Sequence, residues 1–300
     1  MKTAIILMLL VVWPSLVGAQ PDLRHQIRSI AIRNVTVIDM RSATPTAGAN
    51  VVIENGRIRS IGKNAKIPKD AEVIDGRGKY LVPGFWDSYT YTLEAVKHHH
   101  PYFELLIAHG VTGVRDVGTS YDLAEAAKLR SDINAGRVLG PRLFYSGSVL
   151  IGEMPPRRSD RWTGISRIVK TEDEAKAAVV ELARSGVDYI KTEKRTPPNI
   201  LRAIIDEAHR QKLRVVGVPP SFLIDASNDG LDCIEHFAEI NRETSDKREE
   251  YYALYRDRKI DTLTIDQNYA FFGTMTRDRP YYDRSLRTLS KNKTCVVTNA

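Results

Sequence analysis

From Lys79 onward, short β-rich runs alternate with amphipathic helical runs, and this alternation limits the available folds more than any other feature of the chain. The strand candidates are Tyr80–Trp86, Val111–Val117, Arg142–Val149, Val187–Thr192, Leu213–Val218, Cys233–Phe237 and Thr294–Thr298. Between them lie helical runs at Tyr102–His109, Tyr121–Ala135, Thr171–Ser185, Pro198–Gln211 and Arg242–Arg258. Thr171-Glu-Asp-Glu has the spacing of a capping box, and Pro197-Pro198 sets the first turn of the run that follows. Strand then helix, repeated, implies parallel β/α units, because parallel neighbours need a long crossover. The seven candidates are one short of the eight strands that close a β/α barrel. The loop Ile151–Thr163, with two Pro and three Arg, either borders a pocket at the strand C-termini or runs over the surface.

Residues 29–82 follow a different pattern, with a period of two. Ser29–Asp39 alternates apolar and polar positions, Val51–Glu54 and Arg57–Ile61 flank Asn55-Gly56, and Ala71–Ile74 is a further short run. Asn-Gly between two such runs predicts a hairpin, because the favoured two-residue turn needs positive φ at both central positions. This part reads as a small β-layer punctuated by turns.

Residues 1–19 have the three parts of an export signal. Lys2 is the only charge, Ala4–Val12 is an apolar run too short to span a bilayer, and Val17-Gly18-Ala19 offers small residues for cleavage before Gln20. The alternative is an uncleaved N-terminal anchor. The expectation is an exported protein, periplasmic or secreted, with no membrane contact after cleavage. The net charge of +7 comes from 44 Lys and Arg against 37 Asp and Glu scattered along the chain, which argues for a solvated surface and against nucleic acid as a partner. With two cysteines there is no disulfide scaffold and no Cys-rich zinc module. Cys233 and Cys295 both fall in apolar strand candidates. Two buried free thiols are the favoured state, with a bridge between neighbouring strands as the alternative.

The strand ends carry a set of motifs that resembles the amidohydrolase superfamily, in the branch related to imidazolonepropionase and Xaa-Pro dipeptidases. Leu81-Val-Pro-Gly-Phe-Trp-Asp87 is similar to the segment that begins barrel strand one, and Gly110-Val-Thr-Gly-Val-Arg-Asp-Val-Gly118 to strand two. Gly140-Pro-Arg-Leu143 is similar to the start of strand three, Asp188-Tyr-Ile-Lys191 to strand four, and Gly230-Leu-Asp-Cys-Ile-Glu-His236 to strand six. Each motif is weak alone; five in order at plausible spacing are specific. The resemblance runs from about Ile30 to Ala300. It implies an α/β fold: a (β/α)8-type (TIM) barrel over residues 83–300, incomplete at the C-terminus with about seven strands. Residues 20–82 would form a small accessory β-sandwich domain.

Such proteins bind one or two divalent metals through paired His after strand one, a carboxylated Lys after strand four, single His after strands five and six, and Asp after strand eight. Bound metal lowers the pKa of its water, and the Asp handles the proton. Carried over by resemblance, Tyr89 and Tyr91 stand at the paired His positions and Val218 at the strand-five His. Lys191 and His236 remain in register, and the strand-eight Asp has no counterpart before Ala300. Zinc takes Cys, His and carboxylate, normally three or four of them from the protein, so no metal is expected at these positions. Lys191 is then an ordinary amine salt-bridged to a neighbour such as Glu193, and His236 a histidine held by a hydrogen bond. Asp87 and Asp116 support the strand ends through hydrogen bonds. His98, His99 and His100 read as a solvated run before Pro101, with a displaced metal site as the rival.

The family chemistry is metal-assisted hydrolysis of carbon–nitrogen bonds in amides and cyclic amides, here degenerate. No cofactor is expected; zinc or another divalent metal enters only if that chemistry survives. The alternatives are an active hydrolase using His98–His100, a non-catalytic barrel binding a small molecule, and a truncated gene product. Phosphate loops, nucleophile elbows and Cys/His nucleophile pairs are absent from the sequence. The sequons Asn34-Val-Thr and Asn292-Lys-Thr matter only in a glycosylating cell.

Overall fold

The computed structural model describes residues 29–97, 101–154, 164–257 and 259–298, so the signal-like segment 1–19, the His98–His100 run and most of the loop Ile151–Thr163 lie outside the described residues. The chain divides into two compact units, Met1–Val82 and Pro83–Ala300.

The first unit holds a five-stranded sheet built from β1 (Ser29–Val37), β2 (Thr46–Glu54), β3 (Arg57–Gly62), β4 (Glu72–Asp75) and β5 (Tyr80–Leu81). Its order is β3-β2-β1-β4, with β5 beside the far half of β1. The β2–β3 hairpin turns at Asn55 and Gly56, with φ of 51° and 71°, the positive pair that Asn-Gly adopts at least cost. Alternate residues Val35, Val37, Ala49 and Val51 form its small core.

The second unit runs β6 (Phe85–Thr90), α1 (Thr92–Lys97), α2 (Tyr102–Ala108), β7 (Val111–Asp116), α3 (Leu123–Ala135), β8 (Arg142–Tyr145), β9 (Val149–Ile151) and β10 (Ser166–Ile168). It continues with α4 (Glu172–Arg184), β11 (Tyr189–Thr192), α5 (Pro198–Arg210), β12 (Arg214–Gly217), α6 (Leu223–Asn228) and β13 (Cys233–Glu235). The described part ends with α7 (Phe237–Glu243), α8 (Arg248–Arg256), α9 (Ile265–Gly273), α10 (Arg279–Asn292) and β14 (Cys295–Val297). All these strands pair in parallel, in two sheets of order β6-β7-β8 and β10-β9-β11-β12-β13-β14. Asp188 N donates to Tyr145 O at 2.9 Å, which carries the bonding from β8 to the start of β11.

Helices α4 and α5 each bury one apolar face. In α5 that face is Ile200, Leu201, Ile204, Ile205 and Ala208, the i, i+4 spacing of an amphipathic helix. Thr171 caps α4 by accepting from Glu174 N at 3.1 Å, while the Glu174 carboxylate reaches back to Lys170 N at 2.7 Å, one residue earlier than a capping box requires. The expected helix Arg242–Arg258 is two helices instead, α7 and α8. Between them Thr244 and Ser245 hydroxyls bond back to the carbonyls of Ile240 and Arg242 at 2.7 and 2.8 Å, and Ser245 bridges to Arg277. Side-chain hydroxyls compete with the helical ladder in this way.

The cysteines correct a second expectation. Cys233 and Cys295 are not free thiols but form a disulfide, because β13 and β14 pair in the register that sets the two directly opposite, with Cα atoms 4.4 Å apart.

Candidate active site

The C-terminal ends of β6, β7, β11 and β13 bring together a buried set of charges. Lys191, on β11, is 1% exposed, and its ammonium sits 3.0 Å from Glu193 Oε1 and 2.5 Å from Glu235 Oε2. It also donates to the Thr192 carbonyl at 3.0 Å. Burial alone drags the Lys191 pKa down, but the two carboxylates outweigh it and hold the pKa above the ordinary lysine value. Glu235 is fully buried at the end of β13 and takes a second cation, Arg115 on β7, whose Nη2 lies 2.9 Å from Oε1. Burial raises the Glu235 pKa, Lys191 and Arg115 lower it, and the net direction is down. Both ions of the Lys191–Glu235 pair therefore stay charged.

Beside the charges lies an aromatic cluster. Strand alternation puts Tyr89 and Tyr91 on one side of the chain, where their rings meet edge to face at 5.9 Å and their hydroxyls lie 3.5 Å apart. The Tyr89 hydroxyl also lies 3.5 Å from His236 Nε2, and the two rings are 5.2 Å apart. His236 has φ of 69°, a conformation few side chains adopt, at the point where β13 hands over to α7. Val218, just past β12, is buried and apolar. Asp87 accepts from Tyr89 N at 3.0 Å and holds the local turn of chain.

Asp116 ends β7 fully buried. It accepts from Leu93 N at 2.8 Å, in the first turn of α1, and from Gly118 N at 3.3 Å. Burial pushes its pKa up to about 7 in spite of those bonds. A pocket of about 600 Å³ opens past β11 and β12, lined by Lys194, Arg195, Phe222, Tyr252, Tyr255 and Arg256 among others. Lys194 is buried at its edge, paired with Glu239 and donating to the Tyr251 hydroxyl at 2.5 Å. Burial pulls the Lys194 pKa down.

Solved structures share this architecture. A prolidase in complex with N-methylphosphonate-L-proline superposes with a TM-score of 0.62 at 21% identity, covering 91% of this chain and 78% of that one. A prolidase-type protein from Bifidobacterium longum superposes with a TM-score of 0.58 at 27% identity, over 70% of this chain and 54% of its own. The fold is that of the amidohydrolase superfamily. Adenine deaminase from Mesorhizobium japonicum is 30% identical to this amidohydrolase-like chain over 87 residues, 28% of this chain and only 14% of that protein's length. No protein-family model matches the chain.

An amidohydrolase fold raises the question of metal, and the donors present do not fit one. Among the described residues no three His, Cys, Asp or Glu side chains converge on a point that could hold an ion. Lys191 is an ion-paired ammonium with two carboxylates against it, and the aromatic positions offer phenols. Neutral phenol and ammonium are poor donors for a divalent cation.

The structure gathers Tyr89, Tyr91, Lys191 and His236 at neighbouring strand ends, and it ties Lys191 to Glu193. The Tyr89 hydroxyl approaches that of Tyr91 and the His236 ring nitrogen, while the Lys191 ammonium is taken by carboxylates. The sequence reading passed over Glu235 and Arg115. Their signal was present in Ile234-Glu-His236 and Val114-Arg-Asp116, charged residues at the ends of strands whose inner faces are otherwise apolar.

Proposed function

We propose that this chain is an exported β/α barrel of amidohydrolase type that binds a small organic molecule and no longer hydrolyses carbon–nitrogen bonds. The seven parallel strands β6, β7, β8, β11, β12, β13 and β14 would be barrel strands one to seven, and the five-stranded sheet would be one layer of the accessory sandwich. The observation that carries the reading is Lys191. At the position where the resemblance implies a metal-bridging carbamate, its amine is protonated and held between Glu193 and Glu235. A carbamate there would place a third negative group against two carboxylates, with only Arg115 left to offset them. Tyr89, Tyr91 and Val218 at the other implied ligand positions complete the case. The relatives are named for prolidase and deaminase activities, which supports hydrolase ancestry at a coarse level. The 600 Å³ pocket, where Phe222, Tyr252 and Tyr255 stand beside Lys194, Arg195 and Arg256, suits a small molecule.

The test is elemental analysis of the chain purified without chelators, together with assays for proline release from Xaa-Pro dipeptides and ammonia release from adenine. The expected result is well below one equivalent of zinc, manganese or iron, and no turnover with added metal. About one bound metal per chain with metal-dependent turnover overturns the proposal. Loss of that metal on replacing His98, His99 and His100 by Ala would place it in the displaced site. The export part is tested by intact mass from the native host, where the expected N-terminus is Gln20.

A further inference from the structure

A second space lies between the two sheets, nearer the strand N-termini, and shares Arg115 with the charged strand ends. It is about 360 Å³ and takes residues from β6, β7, β8, β11, β12, β13 and β14, so both sheets face it. Interiors between such strands are normally filled by branched side chains in layers. Here the walls are Trp86, Phe144, Val216, Val297 and the Cys233–Cys295 bridge. The Trp86 indole lies flat on Gly113, where any Cβ would come within 2.4 Å of Cε2, and the indole meets the Phe144 ring edge-on at 5.2 Å. Both rings stay open to solvent, 50% and 42% exposed, although they point between two sheets. Large aromatics with that much free surface form a wall still to be covered.

The polar groups at this space are few and uneven. Arg115 Nε donates to the Ser88 carbonyl at 2.7 Å and Nη2 to Glu235 at 2.9 Å, while its guanidinium lies 5.1 Å above the Tyr189 ring. Its remaining nitrogen, Nη1, is buried and has no hydrogen-bond partner among the described residues. A buried N–H without an acceptor costs stability, and a ligand oxygen would remove that cost. The bordering carboxylates are spent elsewhere. Asp188 accepts from Arg130 at 2.9 Å and from Tyr145 N at 3.0 Å, and Asp232 accepts from His209 at 2.9 Å and from Val215 N at 2.8 Å. Arg214 adds a second positive charge at the rim.

We propose that this space is a binding site for a small aromatic monocarboxylate, with its ring against Trp86 and Phe144 and its carboxylate on Arg115 Nη1. One buried donor suits a single negative charge; a phosphate or a dicarboxylate would need more donors than the walls offer. The volume suits one ring with a short side chain. The site is independent of whether the strand ends hydrolyse anything.

The probes are phenylacetate and its neutral amide, phenylacetamide, titrated into the full chain and followed by calorimetry. Phenylacetate is expected to bind saturably, and phenylacetamide at least about tenfold more weakly, since a charge-assisted bond is lost. Arg115→Gln should weaken phenylacetate by a similar factor. Because Arg115 also holds Glu235, a second variant is needed: Val216→Trp fills the space and keeps both Arg115 and Glu235. It should abolish saturation, with the far-UV circular dichroism unchanged. No saturation by about 10 mM phenylacetate, equal binding of the amide, or binding that survives Val216→Trp in a folded protein would each overturn the proposal.

Discussion

Glu235→Gln should be among the most damaging single changes in the second unit. The substitution keeps the shape and removes the charge that two buried cations share, Lys191 at 2.5 Å and Arg115 at 2.9 Å. Removing one partner of a buried pair costs about 3–5 kcal/mol, because an uncompensated charge is left out of water. Lys191 keeps Glu193, so Glu235→Gln should cost about 4 kcal/mol and not the whole desolvation penalty of a lone ammonium. Lys191→Met should cost about 3 kcal/mol, since Arg115 still neutralises Glu235 in that variant. The double variant removes one charge of each sign and should cost no more than the worse single, so the interaction energy is about 3 kcal/mol. Urea unfolding followed by circular dichroism measures all three. A midpoint loss of roughly 8–16 °C in a thermal melt corresponds to the larger single effect in a unit of this size. Additive single variants, or both singles within about 1 kcal/mol of wild type, would falsify the view that Lys191 and Glu235 form one locked pair.

Asp116 gives a pH prediction of the opposite sign to most carboxylates. Its folded pKa is raised to about 7 from 3.8, so the folded state binds the extra proton. Its contribution is complete below 3.8 and is lost as pH rises through about 7, and Asp116→Asn should remove up to roughly 4 kcal/mol of that slope at 1.36 kcal/mol per unit. An unchanged slope between pH 4 and 8 in the variant would sink the assignment. Restoring histidine with Tyr89→His, Tyr91→His and Val218→His should cost about 1–3 kcal/mol per site through cavities and unpaired polar atoms, without conferring zinc-dependent hydrolysis. A triple variant as stable as wild type and active with zinc on simple amides would contradict the packing account. Reducing the Cys233–Cys295 bridge, which closes a separation of 62 residues, should lower stability by about 4 kcal/mol in the chain-entropy picture. Equal urea midpoints with and without dithiothreitol would show that the bridge constrains nothing.

The alternation of strands and helices, the Asn55-Gly56 turn and the start of α5 at Pro198 were all legible in the sequence. Each is decided by neighbours a few residues away, through periodicity and backbone preference. Helices α9 and α10 were equally legible but were not assigned, though Thr264 with Gln267 and Asp278 before Pro280 mark their starts. The sequence also determined which side chains stand at the strand ends: Asp87, Tyr89, Tyr91, Lys191, Val218 and His236. What those residues touch was decided only in three dimensions. Lys191 meets Glu235 across 44 residues of sequence because β11 and β13 flank the same strand, and Cys233 meets Cys295 because β13 and β14 pair in one register and not the next. The open wall at Trp86 depends on Gly113 lying opposite it on β7. Local pattern fixes which face a residue takes, whereas strand order and register fix its partner. Partners set charge, pKa and packing, and so they decide what the site can do.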